Sequence, residues 1–444
     1  MNHNREENSN EDYVKFFRQS SPYIHAHRGR TFVIMLPGSA VGDANFANIA
    51  SDIALLSSLG VRLVLVYGAR SQISARLGKR DITSVFREHC RVTDKAALSA
   101  VIEAVGTLRV KIEAQLSMGL VNSPMHGSRI RVVGGNFITA RPLGVVDGVD
   151  FQNTGEVRRI DRTAIQQQLD DNYLVLLPCV GYSPTGEAFN ITVEHVATQT
   201  AIALKAEKLI MYSSGMGLKD YDSKLVRTMR PSEARRRLRD HNTPEDRRLL
   251  EAAVAACDGG VIRTHIISHA TDGALLQELF TREGCGTLIT QDMDAYEQMR
   301  QATIEDVGGV LKLIQPLEEK GILIRRSCKQ LERDIHLFTV LVRDGMIIGC
   351  ASLHAYPESN CAELACLVIH PDYRNGNRGD TLLEAIEQKA QQQGLDSLFV
   401  LTTQTAHWFV ERGFKASKIS ALPGEKQQGY NRPRNSKVLL KTLV

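Results

Sequence analysis

No run of the 444 residues approaches the roughly 20 consecutive apolar positions that a membrane-spanning helix requires, and none is expected here. The first twelve residues, MNHNREENSNED, are polar and lack the apolar core of a secretory leader. A formal net charge of +4 is too small for this length to mark a nucleic-acid or acidic-membrane partner. The densest basic cluster, Arg235, Arg236, Arg237 and Arg239, lacks aromatic or further basic support and reads as a solvated helix face. Eight cysteines include no CxxC pair and no His-flanked zinc spacing, so no metal is expected. Most sit in apolar runs such as LVLLPCV and IIGCASL, where a reduced thiol acts as a small hydrophobe, a usage that suits the cytoplasm.

What is present is an alternation of β-branched runs and amphipathic stretches, long enough for two or three domains. Residues 1–12 read as a disordered tail, and 13–27 as a short helix broken or kinked at Pro22. TFVIML, VRLVLVYG, YLVLLPCV, KLIMYSS and GGVIRTHIIS alternate with helical segments at 46–59, 193–205 and ALLQELFT, which argues for a mostly parallel sheet covered on both faces. The polar QDMDAYEQMR ends this block. The division expected is a tail and helix start over 1–20, one domain over 21–290 and a second over 291–444. In the second, LFTVLVRDG and MIIGCASLHAY meet at Asp344-Gly345 as a hairpin. CAELACLVI, a loop, the helix TLLEAIEQKAQQQG, the strand SLFVLTT, the helix AHWFVERGF and the strand KVLLKTL follow.

The segment ELACLVIHPDYRNGNRG carries the most chemistry. A strand runs into a loop holding Arg374, Asn375, Gly376, Asn377, Arg378 and Gly379, and a helix follows at once. Such a loop offers unpaired backbone N–H groups and a helix N-terminus to a pyrophosphate. Taken alone it is equally an ordinary turn. Glu363, on the strand among apolar neighbours, is placed to be buried, with its pKa raised, or else to pair with a surface cation.

In context, residues 299–444 resemble the GNAT acetyltransferases. Arg374 and Gly379 match the family's Arg/Gln-x-x-Gly-x-Gly/Ala loop, with Asn377 in place of its middle glycine, and Leu382, Leu383, Ala390, Gly394, SLFVLTT and Gly413-Phe414 follow in the family's order. The resemblance implies acetyl-CoA between two splayed parallel strands. Backbone groups of Cys366, Leu367 and Val368 would face the pantetheine arm, and the loop would face the pyrophosphate. An α-ammonium must lose a proton before it attacks a thioester, so a base is needed; Glu363 is assigned that role. Family members often place a Tyr after the fifth strand to serve the leaving thiolate. Here His407, Trp408 and Phe409 stand there, and Thr402 is the substitute, or simply a strand threonine.

Residues 30–290 resemble the amino-acid kinase fold, nearest to acetylglutamate kinases, through TFVIML, VRLVLVYGARSQI, FNITVEHVATQTAIALKAEKLI and HIIS…LLQELFTREGCGT. The kinase pattern is damaged. Met35 replaces a lysine that would neutralise phosphoryl charge. Tyr67-Gly68-Ala69-Arg70 replaces a glycine loop, and Asn190, Ile191, Thr192, Val193 and Glu194 replace Asn-x-Asn-Ala-Asp. A retained fold without its chemistry suggests a regulatory module.

The two halves together resemble the bacterial N-acetylglutamate synthases. That resemblance implies acetyl transfer to L-glutamate, held by Arg326, Arg434 and Ser436, with Arg325 and Lys437 as solvated neighbours. It implies L-arginine as a feedback inhibitor near Tyr23, His265, Glu278 and Gly286, and a homo-oligomer, a hexamer, joined through the N-terminal helix. The alternatives are an acetylglutamate kinase and an amino-acid sensor without turnover.

Overall fold

The runs TFVIML, RLVLVY, LVLLP, KLIMYS and RTHIIS are apolar on both sides of their pleat, so their sheet must be covered on both faces. The computed structural model places them so. It describes residues 3–443 apart from 88, 119–126, 128–129, 221, 240–242, 293–296, 344 and 375–376. The chain divides into two compact units, Met1–Gln291 and Asp292–Val444.

In the first unit the strands run in the order Thr228–Met229, Thr287–Thr290, Arg263–Ser268, Lys208–Ser213, Thr31–Leu36, Arg62–Tyr67, Leu174–Pro178 and Val132–Val133. Every pairing is parallel except that of Arg263–Ser268 with Thr287–Thr290. One core lies between one face and the helices Phe46–Ser58 and Lys95–Leu116; the other packs Val193–Leu204 and Pro244–Asp258. A smaller four-stranded sheet includes the antiparallel pair Ile138–Pro142 and Gly155–Ile160. These short, half-exposed strands carry no long apolar run to mark them in the sequence.

The first helix spans His3–His27, which corrects the expected disordered tail: it is helical from His3, and of the two outcomes expected at Pro22 a break does not occur, since the helix continues through it. Proline removes one intrahelical N–H bond, and contacts further along hold the last turns in place. Ser20 Oγ donates to the Phe280 carbonyl at 3.3 Å, and His27 Nε2 bonds the Leu279 carbonyl at 2.9 Å.

In the second unit the strand order is Glu297–Gln301, Phe338–Arg343, Met346–Tyr356, Cys361–Ile369, Ser397–Thr402, Lys437–Thr442 and Lys415–Ser417. Asp344 of the expected hairpin turn lies outside the described residues; the strands flanking it pair antiparallel, Arg343 opposite Met346. Helix Arg378–Gln392 buries Leu382, Leu383, Ile386 and Ala390, a single stripe at helical spacing, against one face. Helix Val307–Glu319 covers the other through Val307, Val310, Leu313 and Ile314.

That second helix begins with a capping box at Thr303 and Asp306, and Arg300 Nη1 reaches Asp306 Oδ2 at 2.6 Å. The Arg300 bond, helped by Thr303, outweighs burial and holds the Asp306 carboxyl at about 2. A depressed carboxyl stabilises the fold above its unfolded pKa, and that contribution fades as pH falls from about 4 through about 2. Trp408, the chain's one tryptophan, lies in this unit and reports on its unfolding. Asp306→Asn is expected to lower stability by roughly 1–2 kcal/mol at pH 7. In urea titrations followed by tryptophan fluorescence, the gap from the parent should shrink as pH drops from 4 to 2.

Candidate active site

The adjacent strands Cys361–Ile369 and Ser397–Thr402 are parallel, but only Cys361, Ala362 and Glu363 find partners, at Ser397, Leu398 and Phe399. Beyond Glu363 the two strands part. On its other side Cys361–Ile369 pairs with Met346–Tyr356, and there the register slips: Cys350 faces Val368 while Ser352 faces Ala365. Two residues, Cys366 and Leu367, therefore oppose one, Ala351, which is a β-bulge. Cys366 takes the bulge conformation at φ 50°, unusual for a non-glycine residue. The extra residue exchanges the faces: Ala362 and Leu364 pack under helix Arg378–Gln392 before the bulge, and Leu367 and Ile369 after it. Cys366 and Val368 turn to the opposite core.

Past this strand, Asn377 adopts a left-handed conformation (φ 57°) and leads into helix Arg378–Gln392 without capping it by its side chain. The first-turn N–H groups thus have no side-chain cap, the condition under which a helix N-terminus receives an anion. Asn375 and Gly376 lie outside the described residues. Arg374 is exposed. The Arg378 guanidinium makes two bonds to Glu297, at 2.9 and 3.0 Å, and one to the Tyr373 carbonyl at 3.2 Å. Its side chain therefore braces the loop. Gly379 packs close to the Trp408 ring: a Cβ there would meet Trp408 at 3.2 Å.

Glu363 is 7% exposed and lies on the face opposite the helix. The apolar surroundings expected from CAELACLVI are joined by a cation: Lys426 Nζ, on the one-turn helix Gly424–Gln428, stands 2.5 Å from Glu363 Oε2. Burial lowers the Lys426 ammonium's pKa, but Glu363 and the Tyr356 phenol outweigh it and leave the pKa raised. The sequence held no signal for Lys426, which is 63 residues from its partner by number and lies in a polar loop.

Around the bulge the structure brings together several residues singled out above. Burial pushes the Cys366 thiol up to about 11, and the charges of Arg326, Glu318, Glu363 and Arg434 all act on it. The sulfur is an inert core group, and only the backbone of Cys366 is free for other work. Arg326 is half-buried beside an exposed Arg325. Its guanidinium bonds the Ile324 carbonyl at 3.4 Å, and Arg434's bonds the carbonyl of Ile322. Both spend donors on backbone carbonyls rather than carboxylates. Ser436 is buried, with its carbonyl receiving the Tyr430 hydroxyl at 2.6 Å. His354, opposite Glu363, is held neutral by burial. Thr402 ends its strand with Oγ accepting from the Thr405 N–H at 3.1 Å, so its hydroxyl already shapes a local turn.

The family models agree with this geometry. Residues 30–268 match the amino acid kinase family and 311–414 the acetyltransferase (GNAT) family. The amino-acid acetyltransferase of Ectopseudomonas mendocina is 56% identical over 432 residues, 97% of this chain and all of that one. The chain belongs to the amino-acid acetyltransferases. It is an acyltransferase of GNAT type joined to an amino-acid-kinase-like unit. The relative from Azotobacter vinelandii is 55% identical over the same coverage. Among solved structures, N-acetylglutamate synthase from Neisseria gonorrhoeae, complexed with coenzyme A and L-arginine, matches at TM-score 0.82 and 38% identity, covering 97% of this chain and 99% of that one. The same enzyme complexed with coenzyme A and N-acetyl-glutamate matches at TM-score 0.62 and 39% identity, over the same shares of both chains.

In the kinase-like unit a cavity of about 400 Å3 opens at the carboxyl ends of the strands, lined by Met35, Pro37, Gly68, Arg70 and Glu194 among others. Met35 is buried where the kinase pattern has a lysine, and Glu194 is bonded by Arg248 at 2.9 Å. Elsewhere in this unit, Glu278 is buried, not a solvated helix residue. Its Oε1 lies 2.7 Å from His265 Nδ1, and its Oε2 accepts from the Cys285 and Gly286 N–H groups at 2.7 and 2.9 Å. Burial favours the protonated acid, yet the His265 bond and those N–H groups prevail and hold Glu278 at about 2. Burial lowers the His265 pKa, so the ring is neutral and donates its Nδ1–H. Tyr23, on the N-terminal helix, packs on the core that includes Leu279 and Phe280, beside Glu278 in the chain. No group of three or more His, Cys, Asp or Glu suited to a metal ion occurs among the described residues, and no described helix is long and apolar enough to cross a membrane.

Glu278→Ala strands one imidazole and two backbone N–H groups without an acceptor. It is expected to cost about 3 kcal/mol or more. Hydrogen exchange at Ile266 and Ile267 should accelerate accordingly, while exchange in strand Ser397–Thr402 stays unchanged.

Proposed function

We propose that this acetyltransferase moves the acetyl group of acetyl-CoA to the α-amine of L-glutamate, giving N-acetylglutamate and coenzyme A, the first step of arginine biosynthesis. The observation that carries the proposal is a buried carboxylate, Glu363, set where two parallel strands part and paired with Lys426, while the charges of Arg326 and Arg434 act on nearby Cys366. The resemblance to a synthase complexed with coenzyme A and N-acetyl-glutamate supports the same reading.

In this reading the bulge backbone at Cys366, Leu367 and Val368 receives the pantetheine arm. Asn377, Gly379 and the open first turn, with Arg374, Asn375 and Gly376, receive the pyrophosphate, and Arg378 keeps that loop in shape. Glu363 takes a proton from the α-ammonium. The freed amine attacks the thioester carbonyl, the carbon–sulfur bond breaks, and the departing thiolate takes up a proton, with the Thr402 hydroxyl as the group assigned to assist it. Arg326, Arg434 and Ser436 hold the acceptor's distal carboxylate. Guanidinium groups suit that task because their planar fork matches a carboxylate.

The kinase-like unit is read as the seat of feedback inhibition by L-arginine, near Tyr23, His265, Glu278 and Gly286. Three of the roughly four lone-pair positions of Glu278 are in use, which leaves about one for an arriving guanidinium. Ser20 and His27 tie the N-terminal helix to Phe280 and Leu279, so an event at Glu278 has a short path to that helix. A cytoplasmic hexamer joined through that helix completes the reading.

Thiol release from acetyl-CoA, measured across a panel of amino acids with and without arginine, tests it. L-Glutamate should support the highest rate and arginine should depress it; equal rates with every acceptor would refute the assignment. Glu363→Gln should lower kcat by roughly 10²–10⁴-fold while acetyl-CoA affinity holds. Equal loss of both would make Glu363 structural.

A further inference from the structure

The Glu363–Lys426 pair combines a fixed partner with a movable one. Glu363 sits on a central strand, paired through its backbone on both sides and 7% exposed. Lys426 projects from a one-turn helix bounded by Pro423 and Gly429, and its side chain is 35% exposed. The pair is tight at 2.5 Å, and Tyr356 adds a second bond to the ammonium. Two facts bear on any reaction here. A carboxylate bonded to an ammonium has its proton-accepting oxygen engaged, and breaking a buried pair without replacement is costly. A free α-amino acid removes both difficulties, because it carries an ammonium and a carboxylate on the same carbon.

We propose that the Glu363–Lys426 ion pair is the recognition element for the α-amino-acid zwitterion. The substrate's ammonium takes the place of Lys426 at Glu363, and its α-carboxylate takes the place of Glu363 at Lys426. One ion pair becomes two, no charge is left unpaired, and the base meets the amine only when an α-carboxylate has drawn Lys426 aside. Lys426 is thus a specificity and positioning residue for the α-carboxylate. Arg326 and Arg434, on the segments that flank the bulge, are left for the distal carboxylate. The acceptor class that follows is free α-amino acids, with α-amides and peptide-linked residues rejected at this pair. This inference rests on the acceptor reading given above and refines it.

The test compares kcat/KM for L-glutamate, its α-amide and its side-chain amide, glutamine, in the full-length enzyme and in Lys426→Gln and Lys426→Arg. The parent should prefer glutamate over the α-amide by roughly 10–100-fold, as expected for loss of a charged hydrogen bond. Lys426→Gln should reduce glutamate turnover by a similar factor and hold or raise the α-amide's, so that this preference disappears. Discrimination against glutamine and the KM for acetyl-CoA should both persist, and Lys426→Arg should restore part of the α-carboxylate preference. Equal losses on glutamate and the α-amide would make Lys426 a structural brace and overturn the inference, leaving the acceptor assignment standing. A parent enzyme inactive on glutamate would instead remove the acceptor assignment and this inference with it.

Discussion

The parting of two parallel strands after Glu363 is the constraint on which the C-terminal unit depends. Parallel strands that separate expose backbone groups that a continuous sheet would consume, and buried backbone groups must be satisfied. The bulge at Cys366 meets part of that demand on the side of Met346–Tyr356. Cys350 Sγ approaches the Cys366 carbonyl at 3.6 Å, and Ser352 Oγ donates to the Ala365 carbonyl at 3.2 Å. The opposite side is left for a ligand with alternating donors and acceptors, which is how a pantetheine arm is built. The cost is a left-handed non-glycine residue, of order 1–3 kcal/mol, tolerated because packing on both faces holds it.

The kinase-like unit shows the complementary case, its family's architecture kept while the residues of the kinase pattern are altered. Its parallel strands still end at a cavity, but Met35 brings a thioether where phosphoryl charge would need a cation, and Arg248 occupies the carboxylate of Glu194. Volume alone therefore does not locate the reaction in this chain. This cavity lies in one unit, and the buried acid paired with a lysine lies in the other.

Legibility in the sequence followed physical range. Elements made by local apolar periodicity were readable: the buried parallel strands, the stripe Leu382, Leu383, Ile386 and Ala390, and the acid at 363 within an apolar run. The two-unit architecture rested on ordered motifs whose spacing survives without knowledge of contacts. What escaped depended on pairing across long loops. The bulge at Cys366 has no glycine to announce it, and the short antiparallel strands near 138–160 are half-exposed. Lys426 reads as one charge among polar residues. Arg378 shows the same limit from the other direction: its place in a phosphate-type loop was visible, while the bidentate hold of Glu297 that commits its side chain to structure was not.

Two buried glutamates show how one residue type is sorted into different work. Glu278 is held by an imidazole on the buried strand Arg263–Ser268 and by two backbone N–H groups of the Gly284–Gly286 turn; a Cβ on Gly284 would come within 2.5 Å of its carboxylate. Such an acid is a fixed negative post, suited to receiving a further cation but not to taking and releasing a proton. Glu363 has as its ionic partner a flexible, partly exposed side chain. Losing that partner requires only rotation about single bonds, so the carboxylate can exchange an internal ammonium for a substrate's. Burial alone does not separate these two acids, since they are 8% and 7% exposed. The partner does: one acid is held by a buried imidazole and backbone N–H groups, the other by a side chain that is 35% exposed.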